Sequence, residues 1–257
     1  MEIAEHIRVL EREAKLFAEA ADAGGLDVPI DTCPGWTMRE LVRHLSEIHL
    51  WAAGHVARTA VTLAVDDVSS LVAAWPDLAV FWPADDDLIG YYLETNANLV
   101  HQLDSAPADL DTWTFLPAPS PLAMWARRQA HETAVHRFDA EHAARMPSHF
   151  DPAFASDGVD ELLMAFAPRA DSFPIEAAKT MAVHAVDTGD RWHVTMAPDG
   201  ITAVRRNDAA DVSLAGTAAD LYLALWNRGD DPAIEVTGDH SALEAWHTNH
   251  RVRWPRA

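Results

Sequence analysis

The sequence predicts a mainly α protein with a smaller α+β part. Residues 1–172 are expected to form a helical bundle and residues 173–257 an antiparallel-sheet α+β domain. Apolar residues recur at steps of three and four along several long segments in the first part, the signature of helices that bury one face. After about residue 178 the pattern changes to apolar–polar alternation broken by glycine-containing turns.

The first helix is expected over 2–23, with Ile3, Ile7, Leu10, Ala14 and Phe17 on one stripe and Gly24-Gly25 as the stop. DVPIDTCPGW then reads as a loop. Thr37 with Glu40 three residues later makes a capping box, opening a second helix that runs to about Thr59 through Leu41, Leu45, Ile48 and Ala52. Residues 62–84 read as looser chain. Asp85 to Asp87 place negative charge at the start of a third helix, expected over 86–105. A proline-rich loop covers 106–120. Ser120-Pro121 opens a fourth helix that continues to about Arg145, and a short fifth helix is expected near 157–168. Long helices joined by loops suggest a bundle. Strands are expected at 179–187, 191–197, 201–206 and 211–215. A helix at 217–227, a strand at 233–236 and a last helix at 240–249 complete the prediction.

Composition narrows the function. Lys plus Arg is 19 against 40 Asp plus Glu, a net charge of −21, so phosphate backbones and anionic lipid surfaces are repelled. Neither nucleic acid nor a membrane is expected as a partner. Cys33 is the sole cysteine, which excludes an internal disulfide and an all-cysteine zinc site. The charged N-terminal stretch lacks the apolar core of a signal peptide, and the cytoplasm is the default location.

The chemistry concentrates in RRQAHETAVHRFDAE, residues 127–141. Glu132 and His136 are four apart, so on a helix they share one face. A carboxylate and an imidazole aimed at one point supply part of a transition-metal site, and His44 in the second helix is the best third ligand. His131 and His136 are five apart and face differently, so HETAVH is not the two-histidine zincin helix. Without a metal, the Glu132–His136 pair reads as a helix-face hydrogen bond flanked by Arg128. Asp139 either orients the free ring nitrogen of His136 or pairs towards solvent or Arg137. Trp36, Trp51 and Trp125 read as core or pocket wall. Cys33 reads as a packed loop cysteine, because no adjacent base or cation is evident.

CPGWTMRELVRHLSEIHLWA, the HETAVH segment, DGVDELL, DTGDRWHV and LAGTAADLYLALWNR through VTGDHSALEAW resemble, in order, the mycothiol-dependent maleylpyruvate isomerase-like family of the DinB-like superfamily. The resemblance implies an up-down-down-up four-helix bundle holding a divalent cation, usually zinc, on His44, Glu132 and His136. It implies mycothiol, the low-molecular-weight thiol of actinobacteria, as cosubstrate, and isomerisation of a small unsaturated keto acid by a monomer or homodimer. The family's substrate-binding arginines have candidates in Arg58, Arg128 and Arg228, of which Arg58 and Arg228 are assigned to the catalytic site. Thiol transfer to another electrophile, recruitment to secondary metabolism, and ligand binding without turnover are the alternatives.

Overall fold

The computed structural model describes residues 1–58, 82–228 and 233–250. The chain divides into two compact units, one over residues 2–148 and the other from 149 onward.

The first unit is built from α1 (Ile3–Gly24), α2 (Met38–Val56), α3 (Asp85–Ser105) and α4 (Pro121–Ala143). Both halves of the Thr37–Glu40 capping box form at the start of α2. Ser120 caps α4 by accepting from the Ala123 N–H, with Pro121 in the first turn. Thr59 and 62–81, at the end of the expected second helix and in the looser stretch, lie outside the described residues.

Contacts fix the directions of the helices. Glu13 meets Arg137, and further along both helices Gly24 meets Ala144, so α1 and α4 run parallel. Arg39 meets Asp85 and His49 meets Tyr92, so α2 and α3 also run parallel. His44 meets His136 whereas Trp51 meets Trp125, so α2 and α4 are antiparallel. The result is the up-down-down-up order. Ala14, Phe17, Ile30, Met38, Leu41, Leu45, Leu88 and Tyr92 fill the core between the helices.

One buried ion network ties α1 to α4. Arg137 is 1 % exposed and lies 2.5 Å from both Glu13 Oε2 and Glu141 Oε2. Ser148 donates to the same Glu141 oxygen at 2.5 Å. Arg12 donates to the other Glu13 oxygen at 2.7 Å. Such a network adds little over an apolar core, but removing the shared Arg137 leaves two buried carboxylates short of a cation.

The second unit opens with α5 (Pro152–Glu161), continued by a π turn (Leu162–Phe166) and a 3₁₀ turn (Ala167–Arg169). The fifth helix therefore begins five residues earlier than 157, because Asp151 caps it by accepting from the Ala153 and Phe154 N–H groups, with Pro152 in the first turn as Pro121 is in α4. It also belongs to this unit. Its packing on α6 (Ala218–Leu225) moves the division to follow Ser148, where a boundary near 172 was expected from the change of pattern. The sheet comprises β1 (Lys179–Ala185), β2 (Arg191–Ala197), β3 (Gly200–Val204), β4 (Val212–Gly216) and β5 (Glu235–Gly238), in the order β3-β2-β1-β4-β5. It is mixed, not wholly antiparallel, because β4 crosses to the far edge of β1 and pairs with it in parallel. Alternation of side chains is the same in both pairings, so the sequence pattern does not distinguish them. α7 (His240–Asn249) packs on β1 and β4 and buries Trp246, whose indole donates to Leu225 O at 2.9 Å.

Arg137→Ala is expected to destabilise the first unit by about 3–5 kcal/mol, since the cation shared by Glu13 and Glu141 is lost and the two buried carboxylates keep only Arg12 and Ser148 as partners. Urea unfolding followed by circular dichroism measures this, and a loss below about 1 kcal/mol contradicts it.

Candidate metal centre

The loop before α2 is bent by a tight turn. Trp36 N donates to Cys33 O at 3.0 Å and Cys33 N to Ile30 O at 2.9 Å. Gly35 sits at φ 91°, a conformation that favours glycine, and Pro29 bridges to Thr37. The turn lays the Trp36 ring 5.0 Å from the His44 ring and brings Cys33 up to α4.

His44 is 3 % exposed on α2 and His136 is 4 % exposed on α4. Glu132, one turn before His136, keeps 19 % of its side chain exposed. Glu132 Oε1 lies 3.3 Å from His44 Nε2 and 3.4 Å from His136 Nε2. One donor atom from each residue falls within 4.8 Å of the others. Two ligands at zinc bond lengths of about 2.0–2.1 Å on a tetrahedral centre are about 3.3–3.4 Å apart. Good hydrogen bonds between such groups are nearer 2.8 Å. The donor set and its spacing therefore fit a divalent cation, with two imidazoles and one carboxylate leaving further coordination positions open.

Neighbouring side chains hold the three candidate ligands. Arg128 Nη2 donates to Glu132 Oε2 at 2.9 Å, leaving Oε1 turned to the histidines. Asp139, wholly buried, takes His136 Nδ1 at 2.8 Å, so Nε2 is the nitrogen that faces Glu132. Asp139 thus orients His136, resolving the choice left open by its spacing. Cys33 is a half-buried cysteine of the loop, as expected, and its Sγ lies 3.5 Å from Asp139 Oδ2. No local motif signals this approach, because 106 residues separate Cys33 from Asp139.

The electrostatics follow from burial and partners. Burial works to raise the Glu132 carboxyl, but hydrogen bonds to His136 and His44 and the charge of Arg128 outweigh it and hold Glu132 well below the carboxylate range. Burial works to lower His136, but bonding to Asp139, Cys33 and Glu132 outweighs it and raises His136 well above 6.5. His44 has less support, and burial lowers it.

The remaining histidines, aromatic residues and arginines are placed as follows. His49 turns from the triangle to Thr133 at 2.9 Å, stacks on Tyr92 and is pushed down to about 3 by burial. His131 faces His6, away from His136. Trp51 and Trp125 join His55, Trp113 and Phe115 in an aromatic cluster. Arg58 is not brought to the triangle. It is exposed beyond the end of α2, at φ 57° and about 20 Å along the helix direction from His44. Arg228 belongs to the second unit, where it donates to Trp226 O at 3.0 Å. The arginine beside the triangle is Arg128.

A family model described as the mycothiol maleylpyruvate isomerase N-terminal domain matches residues 7–141. The MDMPI C-terminal domain matches residues 153–245. The chain belongs to this family. The interval between the two matches contains the division after Ser148. Among solved structures, the chain is similar to a mycothiol-dependent maleylpyruvate isomerase, with TM-score 0.62 and 10 % identity over 92 % of this chain and 93 % of that one. A histidine-to-alanine mutant of a mycothiol-dependent maleylpyruvate isomerase matches with TM-score 0.61 and 11 % identity over the same shares. At such identities the likeness is one of fold. A comparison with curated proteins gave no match. Among the described residues, no helix is long and apolar enough to cross a membrane.

Because the raised His136 is protonated near neutral pH without a cation, zinc uptake is expected to release a proton. Affinity then rises with pH through the neutral range, by about tenfold per unit for one proton, until the pH exceeds the raised value of His136. Calorimetric titration in buffers of different ionisation enthalpy reads the proton directly. Heats independent of buffer contradict the assignment.

Proposed function

We propose that this protein is a metal-dependent enzyme of the maleylpyruvate isomerase type. It uses a low-molecular-weight thiol, with mycothiol the family's choice, to convert a small cis-unsaturated keto acid into its trans isomer. The observation that carries the reading is the His44–Glu132–His136 triangle, whose edges of 3.3 and 3.4 Å match a cation's coordination edges. Family membership supports the same reaction class.

A divalent cation held by these residues, zinc for preference, supplies Lewis acidity that favours thiolate over thiol at neutral pH. The chain's own groups prepare that position. Arg128 keeps Glu132 ionised and turned, and Asp139 keeps the His136 Nε2 lone pair directed inward. With Arg128 positive, the centre retains positive charge after Glu132 and Asp139 are counted, and this favours an anionic reactant. In the overall reaction, sulfur adds to the double bond of the keto acid and a proton completes the adduct. The new single bond rotates, and loss of the same proton and thiol gives the trans isomer. The thiol is regenerated.

A second reading, thiol transfer to a more apolar electrophile, is favoured by the aromatic cluster. Trp51 lies seven residues after His44 and Trp125 seven before Glu132, so both stand on the ligand-bearing faces about 10 Å along the helices. That wall suits a larger apolar substrate.

His44→Ala is expected to lower zinc content to below about a tenth of wild type and turnover by at least about 100-fold. Metal analysis and a maleylpyruvate assay with mycothiol test this, and a mutant that keeps both contradicts the mechanism. Unchanged thiol after many turnovers supports isomerisation, whereas stoichiometric thiol consumption supports transfer.

A further inference from the structure

Cys33 is a half-buried thiol that the proposed reaction does not use. Its Sγ donates to Asp139 Oδ2 at 3.5 Å, and the same Oδ2 is 2.8 Å from His136 Nδ1. One carboxylate oxygen thus takes both a thiol and the imidazole that belongs to the triangle. Cys33 Sγ, Asp139 and His136 fall within 4.8 Å of one another. This trio is not a second cation position, because 2.8 Å is a hydrogen-bond separation and shorter than the edge of about 3.3 Å that a cation imposes.

The placement of the thiol is built into the loop. Cys33 is pinned on both sides of its peptide, by its N–H to Ile30 O and by its carbonyl to the Trp36 N–H. The Pro29–Thr37 bridge then fixes the turn to the start of α2, the helix that carries His44. Asp139 lies three residues after His136 on α4, so the same turn of helix presents carboxylate and imidazole together. The turn therefore connects the two ligand-bearing helices through one hydrogen-bonded relay.

We propose that Cys33 is a positioning residue for the metal centre, acting through Asp139 on the ring orientation of His136. The S–H bond fixes the rotamer of Asp139, and Asp139 fixes the imidazole with Nδ1 as donor and Nε2 as ligand. Losing the thiol donor loosens the carboxylate, and its bond to His136 Nδ1 then holds the ring less firmly at its preferred angle to the cation. The inference rests on the metal reading above.

The test uses Co²⁺ alone as the probe, without thiol or substrate, on wild type, Cys33→Ala and Cys33→Ser. Affinity is read by competition with a chelator and coordination by visible absorption. Cys33→Ala is expected to weaken Co²⁺ binding roughly tenfold, within the usual range for outer partners of metal ligands, and to shift the ligand-field bands. Cys33→Ser retains an O–H donor and is expected to recover part of both. A probe that avoids any folding defect is methyl methanethiosulfonate on folded wild type. The Cys33 sulfur takes the methylthio group, methanesulfinate leaves, and one proton is released. The capped protein is expected to bind Co²⁺ more weakly, and dithiothreitol to restore it. Unchanged affinity and bands after both replacement and capping overturn the proposal. A thiolate-to-cobalt charge-transfer band in wild type that Cys33→Ser abolishes also overturns it, since Cys33 is then itself a ligand. Wild type that binds no Co²⁺ refutes the metal reading instead.

Discussion

The structure of the first unit depends on a costly burial. His44, Glu132, His136, Arg128 and Asp139 are brought together at the contact between two antiparallel helices. Removing ionisable groups from water is unfavourable unless each finds a partner. Here each does, and the partners form one continuous chain from Arg128 through Glu132 and His136 to Asp139 and Cys33. The apolar packing around Leu41 and Leu45 sets the register of α2 on α4, and the register decides whether that chain can close. A shift of one helical turn, about 5.4 Å, separates His44 from both its partners.

Charge gives this arrangement its chemical bias. The chain carries −21 overall, and a field of that sign discourages anionic ligands. Arg128 is a buried positive charge set against that field, and on the proposed function a dication held beside it would reverse the sign locally and attract an anionic reactant over a short range. The aromatic cluster lies on the same helix faces, so polar chemistry at one level is followed by apolar surface about two turns away.

Sequence carried the elements whose signals are local. The four-residue step from Glu132 to His136, the Thr37–Glu40 box and the Ser120-Pro121 cap were each legible, and each formed. His44 was legible as a histidine bordering an apolar stripe, although its approach to Glu132 and His136 depends on helix packing. Non-local features were not legible. The partnership of Cys33 with Asp139 spans most of the first unit. The parallel pairing of β1 with β4 leaves the same alternation as an antiparallel one. The division comes before the change of pattern because α5 has the helical texture of the bundle yet packs in the second unit, starting at the Asp151-Pro152 cap. Residue type and segment point to Arg58 and Arg228, whereas the arginine that touches the triangle is Arg128.

The central claim is that two imidazoles and one carboxylate from α2 and α4 grip one cation. X-ray absorption at the zinc edge, on protein loaded with one equivalent of zinc and free of added thiol, addresses it most directly. The account predicts a first shell of nitrogen and oxygen near 2.0–2.1 Å, with imidazole outer-shell scattering from two rings and no sulfur. Replacing His44 should remove one ring from that pattern. A shell containing sulfur near 2.3 Å, or imidazole scattering unchanged by loss of His44, contradicts it.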